Sequence, residues 1–197
     1  QMLICCVVGY GIAKFKFKGR NLLFLCVIIT MLIPHDTLLL AMFMKFRYFD
    51  IFGILGLLGV SEINLINTEI PLYLLSLTGL AFKNGLYIFI FRQFYKGVPD
   101  ELEEAAYIDG TGIFKTFFRI IIPLSIPMMT TVFMFAFSWQ WTDKYYNSLF
   151  FISGDAPLFL PDVIAIPESM NSLASGANPL QESAVLNTCG ILVILPL

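Results

Sequence analysis

Three long apolar runs punctuate the chain: residues 22–44 (LLFLCVIITMLIPHDTLLLAMFM), residues 70–91 (IPLYLLSLTGLAFKNGLYIFIF) and residues 120–141. Each is long enough to cross a hydrocarbon core of about 30 Å, which needs roughly 20 helical residues. In the first, Pro34-His35-Asp36 interrupts the pattern past its middle, so the helix is expected to kink or break there. In the second, Pro71 suits a first helical turn. The third is expected to start near Pro123 and Pro127 and to end at an interfacial aromatic belt, Trp139 and Trp141. Two further runs are incomplete: QMLICCVVGYGI at the start and SAVLNTCGILVILPL at the end. The apolar stretch IFGILGLLGV, 51–60, is too short to cross and is expected to lie at the interface or pack on the helices. Three whole spans and two partial ones define an all-α integral membrane protein.

Composition agrees. Hydrophobic residues make up 58% of the 197, charged residues 13%, and the mean hydropathy is +0.81. A soluble domain carries about 25% charge and about 45–50% apolar residues, so the solvent here is largely lipid. The charges sort by side. Lys14, Lys16, Lys18 and Arg20 stand together with no acid, and Arg92, Lys96, Lys115 and Arg119 follow two crossings later. Between them, Lys45 and Arg47 are offset by Asp50, Glu62 and Glu69, and the 142–183 loop holds only Lys144 as a base. The positive-inside rule then places 13–21 and 92–119 in the cytoplasm. No polybasic tail invites nucleic acid. The start shows no charged n-region or cleavage site, so it reads as the tail of a helix that begins before the chain. The long 143–183 loop, rich in Pro, Gly, Ser and Asn, is of a length that more often serves function than connection. There is no internal repeat. Cys5, Cys6, Cys26 and Cys189 lie in apolar runs without a C-x-x-C, and are expected to be small buried hydrophobes rather than metal ligands or disulfides.

Against this background VPDELEEAAYIDGTGIFKTFFRIIIPLSIP, 98–127, stands out. Pro99 and Asp100 are helix starters, and acids at 100, 101, 103 and 104 suit the positive end of a helix dipole. A helix over 100–108 would be about 14 Å long, and Gly110 after Asp109 is a natural left-handed stop. Ala105 and Ala106 would give a flat face for close approach by another protein. Thr111 is expected to cap a second helix whose Ile113, Phe117, Ile120 and Ile121 lie against the membrane helices while Lys115 and Arg119 stay wet. On the residues alone, an acidic, merely solvated surface helix fits equally well. Lys83-Asn84 sits mid-span, where an ionisable group either marks a transport pathway or snorkels and pairs within the bundle. His35 and Asp36, at a helix break, read as structural rather than as a proton relay. Phosphate-loop, H-E-x-x-H and G-x-S-x-G patterns do not occur, and GTG at 110–112 is a turn. No cofactor and no enzymatic reaction is therefore expected.

The spacing Glu104-Ala105-Ala106, Gly110, Ile120 and Pro123 resembles the E-A-A coupling motif of binding-protein-dependent ABC importer permeases. Asp109 and Pro127 look like the carbohydrate branch, the maltose-type permeases. GYGIAKFKFKGRN, MLIP, LINT and FSWQWTDKYYNSLFF resemble that family's second-helix end, third helix, outer turn and fifth-helix end, so the likeness covers essentially the whole chain. Ile122 stands where the family usually has Leu, and the 45–66 segment is longer than in typical members. The resemblance implies a type I ABC importer transmembrane domain, normally of six helices. Residues 1–197 would form a single permease domain from the end of helix 2 to the start of helix 6, truncated at both ends, with 92–122 as its cytoplasmic coupling loop. It further implies a multi-pass protein of the bacterial inner (plasma) membrane. Its partners would be a second permease subunit, two ATPase subunits, an extracytoplasmic sugar-binding protein and membrane lipid. Glu104 would anchor the ATPase, Ala105 and Ala106 would form the close-contact face, and Asp109-Gly110 the turn. Lys83 and Asn84 would be pathway residues. A permease for another solute such as glycerol phosphate is the alternative. A membrane scaffold would have no use for the Glu104–Gly110 spacing, and a membrane enzyme would need catalytic polar groups at one depth.

Overall fold

Helices carry the computed structural model of the chain, which describes residues 1–50, 62–81, 83–141, 143 and 145–152. In chain order they are α1 (Met2–Lys14), α2 (Arg20–Leu32), α3 (Leu39–Arg47), α4 (Ile70–Thr78), α5 (Asn84–Gly97), α6 (Glu101–Ile108), α7 (Ile113–Thr116), α8 (Ile122–Trp141) and α9 (Tyr145–Phe150). The β pairing among the described residues is an isolated bridge between Phe49 and Ile63. The expectations for 51–60, for most of the 143–183 loop and for the last run with Cys189 fall outside the described residues. The chain forms two units, residues 1–40 with 72–136 and residues 41–71 with 137–197.

The first unit is organised by α5. Tyr87, Ile88, Phe91 and Tyr95 lie on one helical face and are all buried. Two glycines let neighbouring helices close on that element, because the missing side chain lets backbones approach. A Cβ on Gly9 of α1 would sit 2.6 Å from the Phe91 Cβ and 3.2 Å from the Arg92 nitrogen. One on Gly85 of α5 would sit 2.6 Å from the Thr30 hydroxyl of α2. Around this contact Tyr10 packs edge-on to Tyr95 at 5.4 Å and tilted against Phe117 at 4.7 Å, while the Cys6 sulfur lies 3.0 Å from the Tyr95 hydroxyl. Cys5 and Cys6 are buried as expected, but Cys26 is exposed, because α2 buries none of its residues. Gly9→Val should therefore destabilise the folded chain by about 1–3 kcal/mol through overpacking. Gly11→Ala, where an added Cβ meets nothing within 4 Å, should be neutral. Thermal unfolding in detergent checks the pair, and equal midpoints would overturn the close-packing account.

In the second unit Phe46 packs edge-on to Phe150 at 5.2 Å and parallel to Phe49 at 6.0 Å. The LINT turn is held by Asn67, at φ +63°, whose N–H donates to the Phe150 carbonyl at 2.7 Å. Its side-chain oxygen accepts from the Ile152 N–H at 2.8 Å. The Asp143 carboxylate accepts the N–H groups of Tyr145 and Tyr146 and so starts α9; burial nonetheless pushes its titration upward.

The expected spans divide differently from the apolar pattern. Residues 22–44 break as anticipated, with a tight turn at His35–Leu38 after Pro34. The 70–91 run, expected to be one helix, is two. Gly79 at φ +74° and Lys83 at φ +67° turn left-handed, and the Leu75 carbonyl accepts from both Leu80 and Ala81. The third run starts earlier than expected. It is a continuous helical stretch, Ile113–Trp141, of 29 residues, and among the described residues it alone is long and apolar enough to cross a membrane. Pro123 and Pro127 lie inside it. A π-turn at Phe117–Ile121 widens the helix just before Pro123, whose ring would otherwise collide with the Arg119 carbonyl.

Candidate functional site

The acidic stretch does form a helix, Glu101–Ile108, with Glu101, Glu103 and Glu104 in its first turn. Its end follows the Schellman pattern: the Thr111 N–H donates to the Ala106 carbonyl and the Gly110 N–H to the Tyr107 carbonyl, both at 3.0 Å. Gly110 holds φ +76°, the left-handed value its position requires. Asp109 is the last helical junction residue and is exposed, like Gly110.

The start differs from expectation. Asp100 occupies the cap position, but its carboxylate makes no cap bond. It accepts instead from Lys14 at the end of α1, at 2.5 Å. That ammonium also donates to the Val98 carbonyl at 2.7 Å and lies 3.6 Å from Glu103 Oε1, while the Tyr10 hydroxyl donates to Glu103 Oε2 at 3.3 Å. The hydrogen bond from Lys14, then its charge, holds the Asp100 carboxyl below the usual carboxylate range. Lys14 and Glu103 are nearly excluded from solvent, with side chains 7% and 9% exposed. Lys14 thus ties three points of the 98–103 segment to α1. Sequence reasoning missed this clamp; Lys14 looked like one more basic residue of a wet loop.

The clamp decides which side of α6 is free. Glu103 and Ala106 face inward, Ala106 being 4% exposed, so Ala106 does not belong to an outer contact face. Glu104 and Ala105 face outward. Ile108, 85% exposed, extends that face, and Phe114 on α7 is 81% exposed. The Thr111 expectation is also corrected. Gly112 occupies the cap of α7, whereas the Thr111 hydroxyl donates to the Ala106 carbonyl and pairs with Thr116 at 3.0 Å, closing the turn rather than starting the next helix. Beyond it Thr116, Phe117 and Ile121 are buried, Ile113 is exposed, and Lys115 and Arg119 are exposed as expected. Lys83 and Asn84 lie elsewhere, at the break before α5: Lys83 in a left-handed conformation, and Asn84 wholly buried with neither amide atom hydrogen-bonded.

An acidic helix with Glu104 and Ala105 exposed, followed by a 29-residue apolar helix, fits a helical membrane component. Residues 6–197 match the family described as binding-protein-dependent transport system inner membrane component, and the chain belongs to that family. Among similar proteins is the lactose transport system permease protein LacG of Rhizobium radiobacter, 28% identical over 195 residues, covering 99% of this chain and 61% of LacG. The arabinooligosaccharides transport system permease protein AraQ of Halalkalibacterium halodurans is 32% identical, covering 67% of this chain and 40% of AraQ. The sn-glycerol-3-phosphate transport system permease protein UgpE of Yersinia pestis bv. Antiqua is 30% identical, covering 100% of this chain and 60% of UgpE. The chain thus spans less than two thirds of each. The fold matches a chain in the crystal structure of a bacterial ABC transporter involved in the import of the acidic polysaccharide alginate. There the TM-score is 0.65 at 19% identity, covering 99% of this chain and 64% of the other.

Proposed function

We propose that the chain is part of a permease subunit of an ATP-driven carbohydrate importer. The observation that carries this reading is α6: an acidic helix clamped by Lys14 at one end, closed at Gly110 at the other, with Glu104 and Ala105 outward. Such a helix is held firmly enough to transmit a push and is free to be pushed. In the proposed assembly it seats on one of two ATPase subunits, beside a second permease chain and beneath an extracytoplasmic sugar-binding protein. ATP closure of the ATPase pair then moves α6, and the bundle alternates its access. Glu104 supplies the polar anchor, Ala105 and Ile108 the contact surface, and Asp109-Gly110 the turn. Lys83 and Asn84 are proposed pathway residues: a helix broken at Gly79–Lys83 that carries an unsatisfied buried amide suits a substrate route better than a packed span. The fold is then a type I importer domain of multi-pass topology in the inner membrane, in which broken helices count as crossings.

Two experiments test this. Single cysteines replacing Lys16 and Lys115 should be labelled only from the cytoplasm, and one replacing Asp50 only from outside. Labelling of 16 and 50 from the same side would overturn the topology. Uptake by the assembled transporter should be supported by oligosaccharides. The coverage of this whole chain by a glycerol-phosphate permease makes sn-glycerol 3-phosphate the competing substrate, and its preferential uptake would move the reading to that solute.

A further inference from the structure

Where α1 turns into α2 the chain forms an open groove of about 420 Å³ lined by Lys16, Phe17, Lys18, Arg20 and Leu22, among others. Gly19 there holds φ +94°, and no side chain caps the N-terminus of α2. One turn into α2, Phe24 carries the guanidinium of Arg92 on its ring face, 3.5 Å from the centroid, and Phe89 stacks on that ring at 6.1 Å. Arg92 is only 6% exposed and its Nε has no hydrogen-bond acceptor. The positive charge of Arg20 bears on it. Among the described residues neither Arg20 nor Arg92 forms an ion pair with an acidic side chain. Arg20 and Phe24 stand at i, i+4 on α2, so Arg20 and the Arg92 guanidinium resting on Phe24 share one face of that helix. A buried cation there with an unmet donor is unfavourable unless an anion meets it.

We propose that this groove binds the phosphate of an anionic phospholipid, held by Arg20 in its lining and attracted by the buried charge of Arg92 one turn further along α2. The uncapped N–H groups and positive dipole end of α2 favour the same anion. Continuity with an apolar surface separates a lipid from a free phosphate. Leu22, Leu25, Ile29 and Leu32 recur at intervals of three and four along α2 and are all exposed, on a helix that buries nothing. An ion in solution would need no such stripe, whereas acyl chains descending from the headgroup would cover it. The proposal rests on the permease reading only for the membrane side on which the groove lies, the cytoplasmic leaflet. Basic groups at that edge attract anionic lipid.

The test uses the assembled transporter, reconstituted in phosphatidylcholine vesicles containing phosphatidylglycerol and then taken into detergent. Native mass spectrometry counts the lipid retained. The wild type should keep phosphatidylglycerol in preference to phosphatidylcholine. Arg20→Gln/Arg92→Gln should lower its retention at least about tenfold, the scale of losing one charge-assisted contact. Arg20→Gln alone, on a less buried residue, keeps the test open if the double variant assembles poorly, and should lower retention in the same direction. Lys115→Gln/Arg119→Gln, removing exposed cations elsewhere, should leave it unchanged. Millimolar inorganic phosphate should not displace the lipid. Equal retention by properly assembled Arg20→Gln/Arg92→Gln, equal loss in Lys115→Gln/Arg119→Gln, or displacement by phosphate alone would each overturn the proposal. An acidic side chain of a partner subunit in the groove would show as no preferential retention in the wild-type assembly, which also overturns it. Labelling of a cysteine at Lys16 in the same vesicles reports sidedness separately. Labelling from outside would overturn the topology, while the lipid count still decides this site.

Discussion

Gly110→Val should abolish transport while leaving the chain in the membrane. Space is not the reason, since nothing lies within 4 Å of where a Cβ would stand. The backbone is. At φ +76° an L-residue costs roughly 1–2 kcal/mol, and a β-branched one is a true outlier. Relaxing that strain means opening the two bonds that end α6, from Gly110 to Tyr107 and from Thr111 to Ala106. The outward face is then no longer presented at a fixed angle. Gly110→Asn, which tolerates the left-handed region, should retain most uptake, with Gly110→Ala between the two. Glu104→Ala attacks the same function from outside: the residue is exposed, so the fold should not notice. A charge-assisted contact to a partner, worth about 1.5–3 kcal/mol, would be lost. The measurement is uptake and ATPase co-purification at matched membrane levels. Normal uptake by both Gly110→Val and Glu104→Ala would leave α6 a solvated loop helix and remove the main support for the coupling role.

What the sequence disclosed and what it hid follow from the range of the interactions. The acidic helix and its left-handed stop rest on contacts within about one turn, and so are legible in the order Pro99, Asp100 through Gly110. Pro34 signals its break for the same reason. The split of 70–91 was also local, since Gly79 and the Lys83-Asn84-Gly85 triplet are ordinary helix punctuation. Hydropathy across the run hid it, because apolar content measures what dissolves in lipid and not where the backbone turns. The inward side of α6 could not be read at all. Glu103 meets Lys14 and Tyr10, more than 80 residues earlier in the chain, Ala106 is buried on the same helix, and no periodicity in an eight-residue helix predicts which face a distant lysine will claim. That is why Ala105 and Ala106 seemed equivalent in sequence and are opposite in structure.

Lys14→Met should detach α6 at its start, with an effect second only to that of Gly110→Val. The substitution keeps the length and apolar stem of the side chain but removes the ammonium that meets Asp100, the Val98 carbonyl and Glu103. Glu103 would be left nearly buried, with the Tyr10 hydroxyl as its remaining donor among the described contacts. Breaking such a pair from one side costs of order 3–5 kcal/mol, because a buried charge loses its partner. The lower end applies here, as the pair lies at a helix end. Backbone amides of 101–108 should therefore exchange with solvent roughly a hundredfold faster, which is local opening rather than global unfolding. Glu103→Gln on the same background should restore much of the protection by removing the stranded charge. The two substitutions should thus couple instead of adding, and strict additivity would overturn the clamp. Asp100→Ala, at an exposed site screened by solvent, should matter far less. Its contribution has a definite sign. Lys14 depresses the Asp100 carboxyl below its unfolded value, so the stabilisation is complete above the ordinary carboxylate range and fades as pH falls through the depressed folded value. Exchange protection of 101–108 followed from neutral into acid should fall in the wild type through that window and lose this component in Asp100→Ala. If α6 is the lever of the transporter, Lys14→Met should keep the bundle folded and lose substrate-stimulated hydrolysis. The lever would then still touch its ATPase through Glu104 but no longer be fixed to α1.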